Sequence, residues 1–511
     1  MSMVTVKSRA LLGLQSWPID VEVHLANGLP SFTLVGLAQG AVREARERVR
    51  CAIQQSGFEF PSNRRITVNL APADLPKDSG CFDLPMALGL LAASGQLPLE
   101  SLHGKCFMGA LSLAGDLRPI RGALAMRLHA ASGNATPHQA DHESWVLPAV
   151  SAEEAACVPG APVWRARHLR DVVAHLRGED LEDPNAWVRL GEAGLRPDPG
   201  AGCTGPDWGE VKGQALAKRA LEVAAAGRHS VLLQGPPGSG KTLLAERFVS
   251  ILPALSAQEA MDSAAMLSLS GHFQMSDWGR RPFRNPHHSA TAVALVGGGV
   301  PPRPGEASLA HHGVLFLDEL PEFHRPALEA LREPLENGRI TLSRARHSTE
   351  FPAEFVLVAA MNPCPCGHLG SSRSCHCTPD QIQRYQGRLS GPLLDRIDLH
   401  VNVPTQSPQS VWQAPAGENS ATVQARTQAA LTLALQRQGK PNRALNVNEL
   451  DQLAVEADAR ELLMQACERL AWSARSVHRC LRVAQTIADL ASAERISRAH
   501  MAEALQYRVR L

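Results

Sequence analysis

Eight consecutive residues have the types and spacing of a phosphate-binding loop. Residues 235–242 read Gly-Pro-Pro-Gly-Ser-Gly-Lys-Thr and fit the pattern G-x-x-x-x-G-K-[ST] in full. The glycines would let backbone N–H groups face phosphates, Lys241 would neutralise the β and γ phosphates, and Thr242 would ligate Mg²⁺. An apolar run at 231–233 precedes the loop and a helical pattern over 243–251 follows it. The alternative is a chance glycine-rich turn, but such a turn would not need a strand before it and a helix after it. The candidate nucleotide-binding residues are Gly235, Pro236, Pro237, Gly238, Ser239, Gly240, Lys241 and Thr242.

Two acidic residues after a second apolar run could supply the metal and water chemistry of hydrolysis. Asp318 and Glu319 come directly after Val-Leu-Phe-Leu at 314–317. A carboxylate at a strand end can hold Mg²⁺ through water, the role expected of Asp318, and Glu319 can polarise the attacking water. Paired acids after a strand also occur as simple charges at a helix N-terminus. The phosphate loop upstream favours the catalytic interpretation.

A third apolar run, residues 355–359, leads to Asn362. Its amide would lie between the other two strand ends and could orient the attacking water. Asn362-Pro363 is also an ordinary turn signal, so this interpretation depends on the other two strand ends. Together the three segments predict an ATP hydrolysis site.

Four cysteines form two closely spaced pairs that could hold one metal ion. Cys364, Cys366, Cys375 and Cys377 could enclose a structural Zn²⁺ tetrahedrally, with His368 and His376 as spare ligands. Reduced loop cysteines without a metal are the alternative. For four further histidines we expect packing and contacts between subunits rather than metal binding: His287, His288, His311 and His312.

Two basic stretches are candidates for nucleic-acid contact. Arg344 and Arg346 lie in a segment without acids just before the third apolar run, and Arg280, Arg281 and Arg284 lie between the phosphate loop and Asp318. Arginines on loops facing a pore would grip phosphates by charge without reading base sequence. The alternative is that these arginines are solvated or lie between subunits.

A sheet of parallel strands is needed to bring these segments together. Short apolar runs alternate with helical patterns between the phosphate loop and Asn362, which predicts a doubly wound α/β core. After residue 421, strand signals give way to helical patterns at 454–470, 474–490 and 497–507, which predicts an all-α lid. The N-terminal block mixes strand patterns (21–25, 66–70) with helical ones (44–55, 84–93). The expected division is an α+β domain over 1–190, a linker rich in Gly and Pro over 191–206, an ATPase core over 207–405 and a helical domain over 406–511.

Composition narrows the classes of protein that the chain could represent. With 51 Lys and Arg against 50 Asp and Glu, the net charge is +1, so contact with nucleic acid must use local clusters. No apolar run reaches the roughly 18 residues that span a bilayer, and no signal peptide is evident. We expect a cytoplasmic protein that makes no membrane contact, whose 11 cysteines are reduced.

The order of phosphate loop, Asp-Glu strand, Asn-tipped strand and helical lid resembles an AAA+ ATPase. Within that class the chain resembles the Mg-chelatase-like branch, and more narrowly the competence protein ComM (YifB) family. The resemblance covers nearly the whole chain. The motifs that carry it are RNPHH at 284–288, GGG at 297–299, PGE at 304–306, AHHGVLFLDE at 310–319 and NPCPCG at 362–367.

This resemblance implies further roles and partners. Leu-Leu-Asp-Arg396 matches the segment that bears an arginine finger, which would reach the γ-phosphate held by a neighbouring subunit of a homohexamer. Ser-Ala-Arg475 matches the second sensor, with Arg482 as its rival. From the residues alone, each of these arginines could instead form a salt bridge. ATP and Mg²⁺ are the implied cofactors, and the implied partners are single-stranded or branched DNA and the recombinase machinery.

The N-terminal block resembles the Lon-type protease fold through residues 68–78, 83–85 and 111–120. Active Lon enzymes pair a Ser nucleophile with a Lys base. On that pattern Cys81 takes the nucleophile position and Leu124 takes the Lys position. Because Leu cannot accept a proton, we expect no protease activity and a structural cap or contact surface instead.

Three functions compete at this point. The resemblance implies an ATP-driven DNA motor that promotes branch migration of recombination intermediates in natural transformation. A Mg-chelatase-like or chaperone-like ATPase that remodels a protein partner is the alternative, and a Lon-like protease is disfavoured by Leu124. A chelatase motor subunit is not expected to carry the N-terminal domain or the cysteine cluster, so both features favour the DNA motor.

Overall fold

The computed structural model describes most of the chain as two sheet-based domains and a helical domain. It describes residues 2–36, 44–73, 75, 80–132, 143–181, 183–190, 205–299, 301–343, 348–370, 373–415, 417–470 and 472–508. The two large sheets have eight and five strands. The predicted class, a parallel α/β core with a helical lid and a mixed N-terminal domain, is confirmed.

The N-terminal domain is built on the eight-stranded mixed sheet. Its strands, in spatial order, are Trp187–Leu190, Val163–Ala166, Ser144–Pro148, Lys105–Phe107, Ser2–Leu12, Gln15–Ala26, Arg65–Ala71 and Ser31–Val35. The accompanying helices are Ala45–Gln55, Asp83–Ala93, Ala123–Ala131, Ala149–Ala156 and Leu169–Arg177, with a two-strand ribbon of Ala110–Leu111 and Leu117–Arg118. Gly89, in the helix Asp83–Ala93, faces the sheet so closely that a Cβ there would lie 2.6 Å from a methyl carbon of Val23. A glycine is therefore required at this crossing.

The ATPase core is built on the five-stranded sheet, and all of its strands are parallel. Their spatial order is Phe283–Arg284, Val314–Leu317, Val356–Met361, Val231–Gln234 and Leu399–Asn402. The three central strands are buried throughout, which explains their continuous apolar sequence. The helices of this domain are Ala215–Gly227, Lys241–Phe248, Ala257–Ser270, Ala292–Val296, Glu306–Leu309, Arg325–Ala330, Arg332–Asn337, Pro379–Gln386 and Gly391–Leu394, with a ribbon of Gly297–Gly298 and Arg303–Pro304.

A β-hairpin projects from the core just before the strand that leads to Asn362. Strand Arg339–Ser343 pairs antiparallel with Ser348–Pro352, with Ser343 opposite Ser348. Arg344 and Arg346 fall between the two arms, outside the described residues.

The C-terminal domain is helical. Its helices are Pro408–Gln413, Ser420–Gln438, Val447–Asp451, Ala457–Leu470, Ala474–Leu490 and Arg498–Gln506. Cys480, Val483, Ala484 and Ile487 lie on one face of helix Ala474–Leu490 and share a core with the central strands. Among the described residues, none of the helices combines the length and apolar content needed to cross a bilayer.

An apolar contact joins the N-terminal domain to the ATPase core. Leu124 and Ala125 belong to one buried cluster with Ala260 and Ala264 of helix Ala257–Ser270. Across the same contact, Ser268 Oγ donates to Glu154 Oε2 at 2.6 Å. The position that matches the catalytic Lys of Lon enzymes is therefore used to dock the two domains.

Candidate ATPase site

The carboxyl ends of three neighbouring parallel strands form one polar site. The strand Val356–Met361 lies between Val231–Gln234 and Val314–Leu317, so the segments that follow these strands meet at one edge of the sheet. Lys241 Nζ donates to Asn362 Oδ1 at 3.2 Å. The structure thus brings together the three segments that the sequence proposed as one site.

The phosphate loop closes around the ammonium group of Lys241. Nζ donates to the carbonyl oxygens of Gly235 at 2.6 Å and Pro236 at 3.0 Å. Burial lowers the pKa of Lys241, and the Asp318 carboxylate opposes this shift. Gly238 and Gly240 have φ of +74° and +90°, which glycine adopts without strain. Helix Lys241–Phe248 begins directly after the loop, so its N-terminus points its free N–H groups to the same place.

The donor set beside the loop fits Mg²⁺. Thr242 Oγ1 donates to Asp318 Oδ2 at 2.9 Å. A hydroxyl oxygen and a carboxylate oxygen in contact are hard ligands of the kind that Mg²⁺ takes together with phosphate oxygens and water. The arrangement therefore suits a nucleotide whose phosphates face the loop, and Thr242 and Asp318 are the residues that would hold its Mg²⁺.

Glu319 lies in a constrained backbone position next to this metal site. Its φ is +53°, in the left-handed region, and its N–H donates to Asp318 Oδ1 at 2.9 Å. Its carboxylate is within 3.2 Å of His288 Nδ1. Sequence reasoning assigned His288 to packing and missed this contact. The signal was available, because His288 follows the parallel strand Phe283–Arg284 just as Asn362 follows its own strand.

Two more residues support the site and were not singled out from the sequence. Gln214, itself at φ +52°, donates through Nε2 to the carbonyl oxygen of Ser239 at 3.0 Å, which fixes the loop from behind. Burial raises the pKa of Tyr385 to about 12, and the neighbouring backbone of Asn362 opposes this shift only in part. The phenol of Tyr385 therefore stays protonated at neutral pH and adds no charge beside Asn362.

Arg396 and Arg475 lie at the opposite end of the sheet from the phosphate loop. Arg396 precedes strand Leu399–Asn402, whereas the loop follows the neighbouring strand Val231–Gln234. Parallel strands of four to six residues separate the two ends by roughly 13–20 Å. Neither arginine is thus beside the loop of its own chain.

These two arginines share one carboxylate, that of Glu336. Arg396 Nη2 donates to Glu336 Oε2, and Arg475 Nη2 lies 4.0 Å from Oε1 of the same carboxylate. Arg482, the rival for the second-sensor role, donates to the Leu445 carbonyl at 2.6 and 3.0 Å. Arg482 is therefore committed within the helical domain, whereas Arg475 has a side chain that is 68% exposed.

A cavity of about 550 Å³ opens beside Glu336, between the core and the helical domain. Its wall includes Gly313, Val356 and Asp398, which lie at the amino ends of three strands. Seven arginines line it: Arg228, Arg281, Arg396, Arg443, Arg475, Arg479 and Arg482. The acids on the wall are Glu336, Glu354 and Asp398, so the cavity is cationic overall.

The four cysteines of the two pairs come together in space. Cys364, Cys366, Cys375 and Cys377 place their sulfur atoms within 4.8 Å of one another. Hydrogen bonding from the His368 backbone lowers the pKa of Cys366, which favours its thiolate. Backbone hydrogen bonds also act to lower the pKa values of Cys375 and Cys377, but burial and the neighbouring Cys366 and Cys364 side chains outweigh them, so both pKa values are raised. Four sulfur atoms at this separation fit a tetrahedral Zn²⁺ site.

The cysteine loop packs on the phosphate loop. Gly367, between the two pairs, has φ +79°, and a Cβ there would lie 2.6 Å from Cδ of Pro237. A larger residue at 367 would therefore push against the phosphate loop.

The three arginines between the phosphate loop and Asp318 differ in their exposure and in their partners. Arg281 has a side chain that is 7% exposed, and it donates to the carbonyl oxygens of Pro253 and Ala254. Arg284 forms a two-pronged ion pair with Glu306 at 2.6 and 2.9 Å. Both arginines serve internal contacts in this structure, and their contact with DNA stays a prediction. Arg280 is exposed.

His311 and His312 lie in the core, as expected for packing residues. Their rings are 3.7 Å apart, and burial lowers the pKa of His312 to about 4. Burial opposes the ionisation of nearby Glu259, but Arg228 and Arg281 outweigh it and bring its pKa to about 2. The group is a charged structural cluster with neutral imidazoles.

The matched protease positions lie in apolar surroundings. The Cys81 thiol is buried and donates to the Arg9 carbonyl oxygen at 3.8 Å. Leu124 is fully buried against the ATPase core. No proton acceptor stands at position 124, so this pair lacks the base of a Lon-type dyad.

Family models of magnesium chelatase match three parts of the chain. The model described as magnesium chelatase, subunit ChlI, matches residues 207–411, and the model of its C-terminal part matches 417–508. A further model, described as subunit ChlI of Mg-chelatase, matches residues 21–138. The N-terminal domain therefore carries a chelatase description too, and it does not separate the two candidate motor functions as the sequence led us to expect.

Similar proteins cover the full length. Those named YifB in Salmonella typhimurium and Escherichia coli are each 46% identical, over 99% of this chain and 97% of their own. The protein named competence protein ComM in Haemophilus influenzae is 44% identical, over 99% of this chain and 98% of its own. The chain belongs to the ComM/YifB family. Lon protease 2 of Bacillus subtilis is 26% identical over 181 residues, 30% of this chain and 32% of its own.

Membership of the ComM/YifB family agrees with the site geometry. The Mg-chelatase match over 207–411 includes the phosphate loop, Asp318, Glu319, Asn362 and Arg396. It makes this domain a Mg-chelatase-like AAA+ ATPase domain, and the family implies ATP and Mg²⁺ as its nucleotide and metal.

Proposed function

We propose that the protein is an ATP-driven homohexameric motor that promotes branch migration of DNA recombination intermediates during natural transformation. The observation that carries this proposal is the full-length similarity to a protein named competence protein ComM. Single-stranded or branched DNA is its substrate, and the recombinase machinery is its partner.

The ATPase site supports the chemical part of the proposal. Bound ATP would present its phosphates to the loop N–H groups and Lys241, while Thr242 and Asp318 would hold Mg²⁺. Glu319 would polarise the attacking water, and Asn362 would orient it. Lys241 Nζ already contacts Asn362 Oδ1 at 3.2 Å. A phosphate that binds Lys241 would therefore also affect the position of Asn362 through this hydrogen bond.

The position of Arg396 supports a ring. A finger at the far end of the sheet from its own loop serves only a neighbouring subunit, whose phosphates would meet the arginine-lined cavity. Arg475 lies at the same cavity, so both arginines would act on the neighbour's nucleotide. Repeating this head-to-tail contact closes a ring when the rotation between subunits permits it.

The hairpin Arg339–Ser343 and Ser348–Pro352 is the proposed DNA element. Arg344 and Arg346, between its arms, would place positive charge in the pore of a ring, and exposed Arg280 offers a second contact. A circle of arginines suits a polyanion better than a polypeptide of mixed charge.

A remodelling ATPase that acts on a protein partner is the second candidate. The magnesium chelatase descriptions of the matched family models favour it. The cysteine cluster, which we did not expect in a chelatase motor subunit, argues for the DNA motor. We propose that this cluster holds one structural Zn²⁺.

ATP turnover measured with and without DNA separates the two candidates. We expect four-way, forked or single-stranded DNA to stimulate turnover of the wild-type protein. Replacing Arg344 and Arg346 together by Ala should leave basal turnover intact, abolish stimulation, and reduce the salt slope of DNA binding by roughly one unit per lost phosphate contact. Arg339→Ala, on an exposed arm of the same hairpin, is the matched control. A wild-type protein that no DNA form stimulates would favour the remodelling ATPase.

A further inference from the structure

The side chain of Arg396 is withdrawn into its own subunit. The residue is only 8% exposed. Nη1 donates to the Pro392 carbonyl oxygen at 2.8 Å, Nη2 donates to Glu336, and Nε has no hydrogen-bond partner among the described residues. A finger held in this way must leave Glu336 before it can reach a phosphate of another subunit.

The carboxylate of Glu336 lies near three arginines of the cavity wall: Arg396, Arg475 and Arg479. Its side chain is 49% exposed toward the cavity. The hydrogen bond from Arg396 lowers the pKa of Glu336, with Arg475 and Arg479 adding to the effect. Glu336 is therefore ionised at neutral pH and presents two anionic oxygens to two arginines, as a phosphate group would.

The other arginines of the cavity wall are held by different partners. Arg479 pairs with buried Asp398 at 3.1 Å. Arg443 donates to the carbonyl oxygens of Phe355 at 2.7 Å and Leu335 at 3.1 Å. Removing the Glu336 carboxylate would thus free Nη2 of Arg396 and the guanidinium of Arg475, and would leave these contacts in place.

We propose that Glu336 is a placeholder for the γ-phosphate of the neighbouring subunit. In a subunit without a neighbour, the Glu336 carboxylate holds Arg396 and Arg475. On assembly, the γ-phosphate bound by the neighbouring subunit replaces this carboxylate as the partner of the same two arginines. The inference rests on the proposed ring. Glu336 acts through the two arginines and is therefore a positioning residue. Because only ATP carries the γ-phosphate that can replace the Glu336 carboxylate on these arginines, assembly depends on ATP rather than ADP.

The test compares assembly in ATP and in ADP. All proteins carry Glu319→Gln to slow hydrolysis, and the concentration for half-maximal assembly is measured by analytical ultracentrifugation. With Glu336→Gln we expect this midpoint to fall roughly two- to fivefold in ATP, the range for a partly exposed ion pair, and to stay unchanged in ADP. Glu333→Gln, an exposed acid on the same helix Arg332–Asn337, is the matched control and should change neither midpoint.

Several results of this experiment would overturn the proposed role of Glu336. A midpoint that does not move in ATP, or that moves equally in ATP and ADP, overturns the placeholder. Weaker assembly in ATP would show instead that Glu336 supports the finger in its working position, which also overturns it. Adding Arg396→Ala to Glu336→Gln should erase the gain, and a gain that persists refutes the route through Arg396. If Glu319→Gln alone never assembles in ATP, the ring fails and the placeholder fails with it.

Discussion

The contact between the N-terminal domain and the ATPase core should weaken as the pH rises to neutrality. Burial raises the pKa of Glu154 from its ordinary 4.5 to about 7, and the hydrogen bond from Ser268 opposes this only in part. The docked state therefore retains a proton on Glu154 that the separated, solvated state releases. The stabilising contribution is fully present below pH 4.5 and is lost as the pH rises to about 7.

The size of the effect follows from the two pKa values of Glu154. Each pH unit between 4.5 and about 7 is worth roughly 1.4 kcal/mol, so the full loss is about 3 kcal/mol. Between pH 5.5 and pH 8 the loss is about 2 kcal/mol, or roughly thirtyfold in the equilibrium for domain separation.

Hydrogen exchange in helix Ala257–Ser270 measures this equilibrium, because the helix carries Ser268 and packs against the N-terminal domain. After correction for intrinsic exchange rates, protection in the wild type should fall roughly thirtyfold from pH 5.5 to pH 8. Glu154→Gln keeps a carbonyl acceptor for Ser268 but cannot ionise, so its protection should stay level and exceed that of the wild type above pH 7.

A neighbouring acid supplies the control for Glu154. Glu153 faces outward, 3.6 Å from Arg165, so Glu153→Gln should retain the pH dependence of the wild type. If the wild type and Glu154→Gln lose protection equally with rising pH, the proton on Glu154 is not linked to domain docking and the reasoning is refuted.

Three further predictions concern the ATPase and the metal. Lys241→Ala should lose ATP binding, whereas Glu319→Gln should bind ATP but hydrolyse it at least a hundredfold more slowly, as filter binding and phosphate release will show; normal turnover in either variant would move its role elsewhere. Excess Arg396→Ala subunits mixed into wild type should reduce turnover more than dilution does, and a strictly proportional loss would argue against a finger acting between subunits. Elemental analysis should find about one zinc per chain, lost in Cys364→Ser but kept in Cys467→Ser, and metal-free protein that is folded and active would contradict the site.

The nucleotide site could be located from sequence because its parts follow a topological rule. Polar residues after buried parallel strands meet at one sheet edge, and this rule is enough to predict from the sequence that Lys241, Asp318 and Asn362 lie together. The three central strands of the core lie within two residues of the expected runs, and the helix over 474–490 matches in full. In the N-terminal domain the expected run 21–25 covers only part of strand Gln15–Ala26. Long apolar runs of this kind leave few alternatives for the backbone.

The partners of individual arginines could not be predicted in this way. Arg281 and Arg284 belong to a basic stretch, yet each is used internally, because Pro253 and Glu306 approach them only in the folded chain. Glu336 carries no sequence signal, since an acid on a short helix is ordinary. Only the tertiary contact with Arg396 gives it a role.

The docking of Leu124 against the ATPase core also constrains how this chain can evolve. A Lys at position 124 would enter a dry apolar cluster without a partner, at a cost of several kcal/mol. Replacing Leu124 by Lys would therefore weaken the contact between the two domains. Position 124 therefore cannot take the base of a Lon-type dyad without loss of the apolar contact that joins the N-terminal domain to the ATPase core.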